Sequence, residues 1–124
     1  MAKVKQLQSL AERRKAFRQM CKQRNAVIVP GAGNALTARI IEDAGFDVIY
    51  ITGAGLANTL LGVPDLGLVT LTELASTVSA ISEITDKPLI VDIDTGFGNA
   101  LNAQRTMRVI ERAGGFAVQI DDQD

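Results

Sequence analysis

Pro88-Leu89-Ile90-Val91-Asp92-Ile93-Asp94-Thr95-Gly96-Phe97-Gly98 is the stretch on which the fold turns. Its first half is aliphatic and β-branched and it ends in a glycine-containing turn, the pattern of a short buried strand over residues 88–94. Strand side chains alternate faces with a period of two, so Val91 and Ile93 point one way, into a helix layer, and Asp92 and Asp94 the other. Two acids on one face of an otherwise apolar strand are costly without a partner. At the carboxyl end of a parallel strand they stand where βα folds place their sites, and a hard divalent cation relieves their repulsion most simply. All available ligands are oxygens, which favours Mg²⁺ over Zn²⁺, since Mg²⁺ takes one or two carboxylates and keeps waters.

Outward from this segment, residues 26–30, 47–52 and 116–121 are further strand candidates, and helix-period runs lie between them. Asn34 caps a helix that carries Leu36, Ile40, Ile41 and Ala44 and stops at Gly45. Thr70 and Glu73 form a capping box before Leu71, Leu74, Val78 and Ile81. Asn99 caps a third helix, with Leu101, Met107 and Ile110 inward and Gly114 as its stop. The alternation implies βα units and a parallel sheet. Asn34-Ala35-Leu36 followed by Ile41-Glu42-Asp43-Ala44-Gly45-Phe46 recurs as Asn99-Ala100-Leu101 followed by Ile110-Glu111-Arg112-Ala113-Gly114, which marks a repeated strand-helix block. Such a block fits a (β/α)8 barrel or a doubly wound sheet. A whole barrel needs about 250 residues, so the 124 residues here correspond to close to half of one, about four β/α units.

Composition narrows the chemistry. With 47% apolar and 22% charged residues the chain has the balance of a soluble globular domain, and no uncharged run reads as a membrane span. There is no His, so a Ser-His-Asp triad, a Cys-His dyad and any His-containing metal site are excluded; one Cys excludes an internal disulfide. The first 24 residues carry about +7 and the remainder about −8. Residues 1–24, with Lys3, Lys5, Arg13, Arg14, Lys15 and Arg18 among their bases, are expected to form a docked helix with a solvated basic face. Its apolar positions are Leu7, Leu10, Phe17 and Cys21, its capping box is Ser9 with Glu12, and Cys21 is expected in the core. Nucleic-acid contact and a transit peptide are the weaker readings of this basic segment. The unpaired Cys and the lack of an apolar signal region favour a cytoplasmic location, or a mitochondrial matrix in a eukaryote.

The other strand ends converge on the same mouth. Tyr50 and Thr52 share a face, and Gly53-Ala54-Gly55 follows as a loop whose amides can approach a carboxylate. Gln119 and Asp121 share a face on the fourth strand, and Asp65 lies in a long Gly- and Pro-containing loop. Gly31-Ala32-Gly33 imitates a dinucleotide fingerprint, but the third glycine position is Leu36 and the second strand ends in Thr52 rather than an acid. No P-loop lysine is present.

Six ordered motifs, Pro30-Gly31-Ala32, Ala44-Gly45-Phe46-Asp47, Ile49 to Gly55, Leu61-Gly62-Val63-Pro64-Asp65-Leu66-Gly67, Asp92 to Gly98 and Ile120-Asp121-Asp122-Gln123, resemble the isocitrate lyase and phosphoenolpyruvate mutase superfamily. The methylisocitrate lyase branch is the nearest in pattern. The resemblance implies a (β/α)8 TIM barrel, with residues 1–24 as an N-terminal helix and 25–124 as the N-terminal half of the barrel. It implies Mg²⁺, or Mn²⁺ in its place, and a small 2-oxo or 2-hydroxy acid at the barrel mouth of a homo-oligomer, with neither nucleic acid nor membrane as partner. Asp92 is then the main metal ligand, with Asp94 and Asp65 helping through water; Thr52, Gly53 and Ala54 hold the substrate carboxylate beside Asp92, Tyr50 lines the pocket, and Asp65 and Asp121 are the catalytic carboxylates. The implied reaction is carbon–carbon cleavage of a 2-hydroxy di- or tricarboxylate through a pyruvate-like enolate. Oxaloacetate decarboxylase and phosphonopyruvate hydrolase are alternatives within the superfamily.

Two positions depart from the pattern: Asp121 stands where Glu is common, and Gly33 where a larger residue is usual. The resemblance also places the Cys-bearing catalytic loop beyond residue 124. A half barrel exposes open strand edges, so the chain alone is expected to be inactive and to associate. The competing reading is a non-catalytic fragment or half-barrel assembly module, and a doubly wound binding domain is a further one.

Overall fold

The computed structural model describes residues 8–123; Lys3, Lys5 and Leu7 of the basic segment lie outside them. The elements are α1 (Leu10–Lys22), β1 (Gly31–Ala32), α2 (Ala35–Asp43), β2 (Ile49–Ile51), α3 (Gly53–Leu56) continuing as a π-helical turn (Ala57–Leu61), α4 (Leu71–Ile84), β3 (Leu89–Asp92), α5 (Ala100–Ala113) and β4 (Ala117–Gln119). The sheet is wholly parallel in the order β1-β2-β3-β4. Because parallel crossovers are right-handed, an order that never reverses keeps every connecting helix on one face. A doubly wound sheet requires a reversal, so that alternative is excluded and the sheet is an arc of barrel wall.

The helix-facing rows, Ile49 and Ile51 of β2 with Leu89, Val91 and Ile93 of the β3 segment, are buried under Ala38, Ile41, Leu56, Leu74, Val78, Ile81 and Ile110. Burial alternates along β3, and the opposite face, bearing Tyr50, Ile90, Asp92 and Gln119, is half-buried or exposed. Every expected cap is in place: Asn34 Oδ1 accepts from the Thr37 amide, Thr70 and Glu73 cap reciprocally, Asn99 accepts from Leu101 and Asn102, and Gly114 closes α5 at φ 118°.

Several expectations are corrected. The first strand does not run over 26–30: Val27 and Ile28 are exposed, and pairing begins at Gly31 because β1 has only β2 as neighbour and Pro30 supplies no N–H. The other strands are shorter than expected, and β3 ends at Asp92, leaving Asp94 beyond it. On α2, Leu36 and Ile40 face outward and Ala38 and Ile41 inward, since the small Ala38 lets the helix sit close to the sheet. On α5, Leu101 and Met107 are exposed, while Thr106 is fully buried and donates to the Gly96 carbonyl at 2.9 Å. Cys21 is exposed rather than a core residue.

The basic helix α1 docks as expected, at the amino ends of the strands. Ser9 and Glu12 form its capping box, Phe17 meets Phe116 edge-on at 6.0 Å, and the Arg13 guanidinium lies over the Phe116 ring and donates to the Asp86 carbonyl. Arg14 pairs with Glu111 at 3.1 Å. None of the described helices is long and apolar enough to cross a membrane.

Candidate active site

The carboxyl ends of β2, β3 and β4 gather the acidic and polar side chains singled out from the sequence. Asp92 closes β3 with its carboxylate on the open sheet face, in register with Gln119 of β4. Its Oδ2 accepts from the Gly53 amide at 3.2 Å and its Oδ1 from the Asp94 amide at 3.0 Å. Asp94 has left the strand at φ 48°, yet its carboxylate returns to the same place. A Cβ on Gly53 would lie 3.1 Å from an Asp92 oxygen and 3.4 Å from an Asp94 oxygen. Both carboxylates therefore converge over Gly53, where a Cβ would crowd the Asp92 carboxylate.

The loop that delivers them is strained. Asp94, Gly96, Phe97 and Gly98 all have positive φ within five residues, and two of the four are not glycine. Such conformations persist only where the surroundings enforce them, and they cluster at functional sites. Here Thr106 holds the Gly96 carbonyl, and the Asp121 amide donates to the Asp94 carbonyl at 2.8 Å.

Gly53-Ala54-Gly55 is not the expected loop but the first turn of α3. Thr52 is its N-cap and accepts from the Gly55 amide at 3.2 Å, and the Gly53 amide is committed to Asp92. This helix start faces the mouth directly. Behind it, Thr59 donates to the carbonyls of Gly55 (2.8 Å) and Gly33 (3.2 Å), and a Cβ on Gly33 would fall 2.6 Å from the Gly55 carbonyl oxygen. Gly33 is thus matched to a close backbone approach, and a larger residue would displace α3. The role of Thr59 had no signal in the sequence.

Electrostatically the mouth is one acidic field. The Asp94 carboxyl is pushed up, first by burial and then by the charges of Asp92, Asp65 and Asp121. A carboxyl raised in the fold favours its protonated form there. The stability it contributes is present below the unfolded value of about 3.9 and is lost as pH rises through the raised folded value. Asp65 is exposed in its loop and Asp121 is half-buried. No three His, Cys, Asp or Glu side chains among the described residues close on one point as a metal cage of protein ligands alone would require. A pair of converging carboxylates, one of them raised by burial and then by its like-charged neighbours, still fits a cation that takes one or two carboxylates and keeps its waters.

Tyr50 reaches over β3. Its hydroxyl donates to Gln119 Oε1 at 3.0 Å, and Gln119 Nε2 donates to Asp121 Oδ1 at 3.4 Å. Burial, followed by the adjoining Asp92, pushes the phenol up to about 12. Sequence parity identified the shared face of Gln119 and Asp121, but no pattern links residue 119 to Tyr50. Tyr50 is the only tyrosine and there is no Trp, so its ionisation can be followed alone by absorbance. At pH 11 the folded chain should show little tyrosinate, whereas an unfolded phenol is roughly nine-tenths ionised. Because the folded value is the higher one, stability should fall between the unfolded value and about 12. Tyrosinate appearing near pH 10 before unfolding would contradict the described contacts.

Comparison with known proteins follows the same lines. The phosphoenolpyruvate phosphomutase family model matches residues 17–124. The chain is 45% identical over 107 residues to 2,3-dimethylmalate lyase of Eubacterium barkeri, covering 86% of this chain and 37% of that protein. It is 46% identical over 107 residues to 2-methylisocitrate lyase of Aeropyrum pernix, covering 86% and 34%. A crystal structure of 2,3-dimethylmalate lyase, a PEP mutase/isocitrate lyase superfamily member, superposes with TM-score 0.82 at 35% identity, covering 90% of this chain and 40% of that one. Phosphonopyruvate hydrolase in complex with oxalate and Mg²⁺ superposes with TM-score 0.85 at 32% identity, covering 90% and 39%. The chain thus spans little more than a third of the length of these curated relatives, and its four parallel strands with the helices between them are those of a (β/α)8 barrel.

Proposed function

Because the chain belongs to the phosphoenolpyruvate phosphomutase family, within the PEP mutase/isocitrate lyase superfamily, we propose that it carries the cation- and carboxylate-binding half of a Mg²⁺-dependent carbon–carbon lyase site for 2-hydroxy di- or tricarboxylates. The observation that carries this reading is the convergence of Asp92 and Asp94 over Gly53 at the carboxyl end of β3.

In this reading Asp92 is the principal Mg²⁺ ligand and Asp94 assists, directly or through water. When bound, the ion neutralises negative charge that gathers on a substrate oxygen as the carbon–carbon bond breaks. Thr52 and the amides at the start of α3, Ala54 in particular, receive the substrate carboxylate, since the Gly53 amide is turned to Asp92. Tyr50 walls the pocket on the β2 side. Asp65 and Asp121 are the catalytic carboxylates, placed to hold water or exchange protons at the rim of the same field. Hydrolysis or decarboxylation of a 2-oxo acid is the second reading, favoured by the equally good superposition of phosphonopyruvate hydrolase.

Calorimetry with oxalate, a planar dianion, tests the proposal. Oxalate should bind only with Mg²⁺ present, and each should tighten the other by the same factor. Oxalate binding of equal strength without Mg²⁺, or none in its presence, would overturn it.

A further inference from the structure

Tyr50 has two acceptors within reach, and which one it uses decides whether Asp92 is free. Asp121 can only accept when ionised, so the nearby Gln119 amide turns Nε2 toward it and presents Oε1 to Tyr50. The phenol hydrogen is thereby drawn away from β3. Besides the phenol that adjoins it, Asp92 has two backbone donors, Gly53 and Asp94. A carboxylate with two oxygens has about four acceptor sites, so lone pairs remain on the open face.

We propose that Gln119 is a positioning residue for the cation site: by accepting the Tyr50 hydroxyl proton it prevents that hydroxyl from capping the Asp92 carboxylate. Gln119 touches neither the proposed ion nor the substrate; it acts through Tyr50. The inference rests on the Mg²⁺ site proposed above. It extends that site to a donor–acceptor chain running Tyr50, Gln119, Asp121, from β2 over β3 to the segment after β4. If residue 119 cannot accept, the phenol turns to the adjoining Asp92 carboxylate, and any cation must displace a charge-assisted hydrogen bond.

The test uses the full chain and Mg²⁺ alone, by calorimetry, together with the Raman doublet of the single tyrosine, which responds to the acceptor its hydroxyl meets. Gln119→Leu should weaken Mg²⁺ binding about 10-fold, the lower end of the loss caused by removing a residue that orients a metal ligand. Adding Tyr50→Phe to that variant should restore affinity to within about twofold of Tyr50→Phe alone, because the competing hydroxyl is gone. Gln119→His, which can accept from Tyr50 and donate to Asp121 at once, should also retain affinity. The Raman signature should move toward that of a hydroxyl donating to a carboxylate in Gln119→Leu and stay in place in Gln119→His. Undiminished Mg²⁺ binding by Gln119→Leu, or a double variant as weak as Gln119→Leu, would overturn the proposal. If the unaltered chain binds no Mg²⁺, the site reading fails at that step, and the Raman response still decides whether Gln119 controls the Tyr50 hydroxyl: an unchanged signature in Gln119→Leu overturns that too.

Discussion

Asp92→Ala should reduce Mg²⁺ affinity by roughly 100-fold or more, exceeding the 10- to 100-fold typical of losing a residue that only orients a metal ligand. The variant removes one of the two carboxylates that converge over Gly53, together with the acceptor of the Gly53 and Asp94 amides. Its effect on folding should be far milder than its effect on binding, because Asp92 is half-buried on the open face and its loss relieves repulsion on Asp94. Calorimetry with Mg²⁺, paired with thermal unfolding of the same variant, separates the two effects. Unchanged affinity in a folded Asp92→Ala chain would remove the basis of the site.

The largest stability effect should come from the loop that presents these acids. Gly96→Ala meets two penalties at once: φ 98° lies outside the range an L side chain adopts readily, and the new Cβ would stand 2.8 Å from that of Ala103. Strain and overpacking together should cost roughly 2–4 kcal/mol. A loss of that size lowers the midpoint of thermal unfolding by about 10 °C or more. Gly45→Ala is the natural comparison, since Gly45 has φ 92° with nothing within 4 Å, so only the backbone term applies. Equal losses in the two variants would show that the packing of α5 against the loop contributes nothing.

The parts of the fold legible in the sequence are those set by local chemistry. Caps declared themselves because Ser9, Asn34, Thr70 and Asn99 each precede an apolar-periodic run, and three of them carry their capping-box partner three residues on. Parity on β3 placed Asp92 correctly, because burial alternates there without interruption. Helix faces were less legible. α2 and α5 each carry more large apolar residues than one buried face accepts, and the sheet chose Ala38 and Thr106 over Leu36 and Leu101. That choice follows from how closely helix and strand approach, which no periodicity encodes.

The site divides in the same way. Asp92 was legible, while Asp94 reached the mouth by a left-handed turn rather than by strand alternation. The glycines after Thr52 were recognised as a place of close approach, but the approaching group is a carboxylate of the same chain. The Tyr50 to Gln119 bond joins residues 69 positions apart and depends on β2 and β4 flanking β3, so only the folded sheet reveals it.

The central claim is that a divalent cation sits between β3 and the start of α3. Mn²⁺ substituted for Mg²⁺ and titrated into the isotopically labelled chain broadens amide signals according to their distance from the ion. The Gly53 and Asp94 amides should vanish first, while those of α1, at the other end of the strands, persist. Uniform broadening along the chain, or first loss of signals in α1, would place the cation elsewhere and contradict the account.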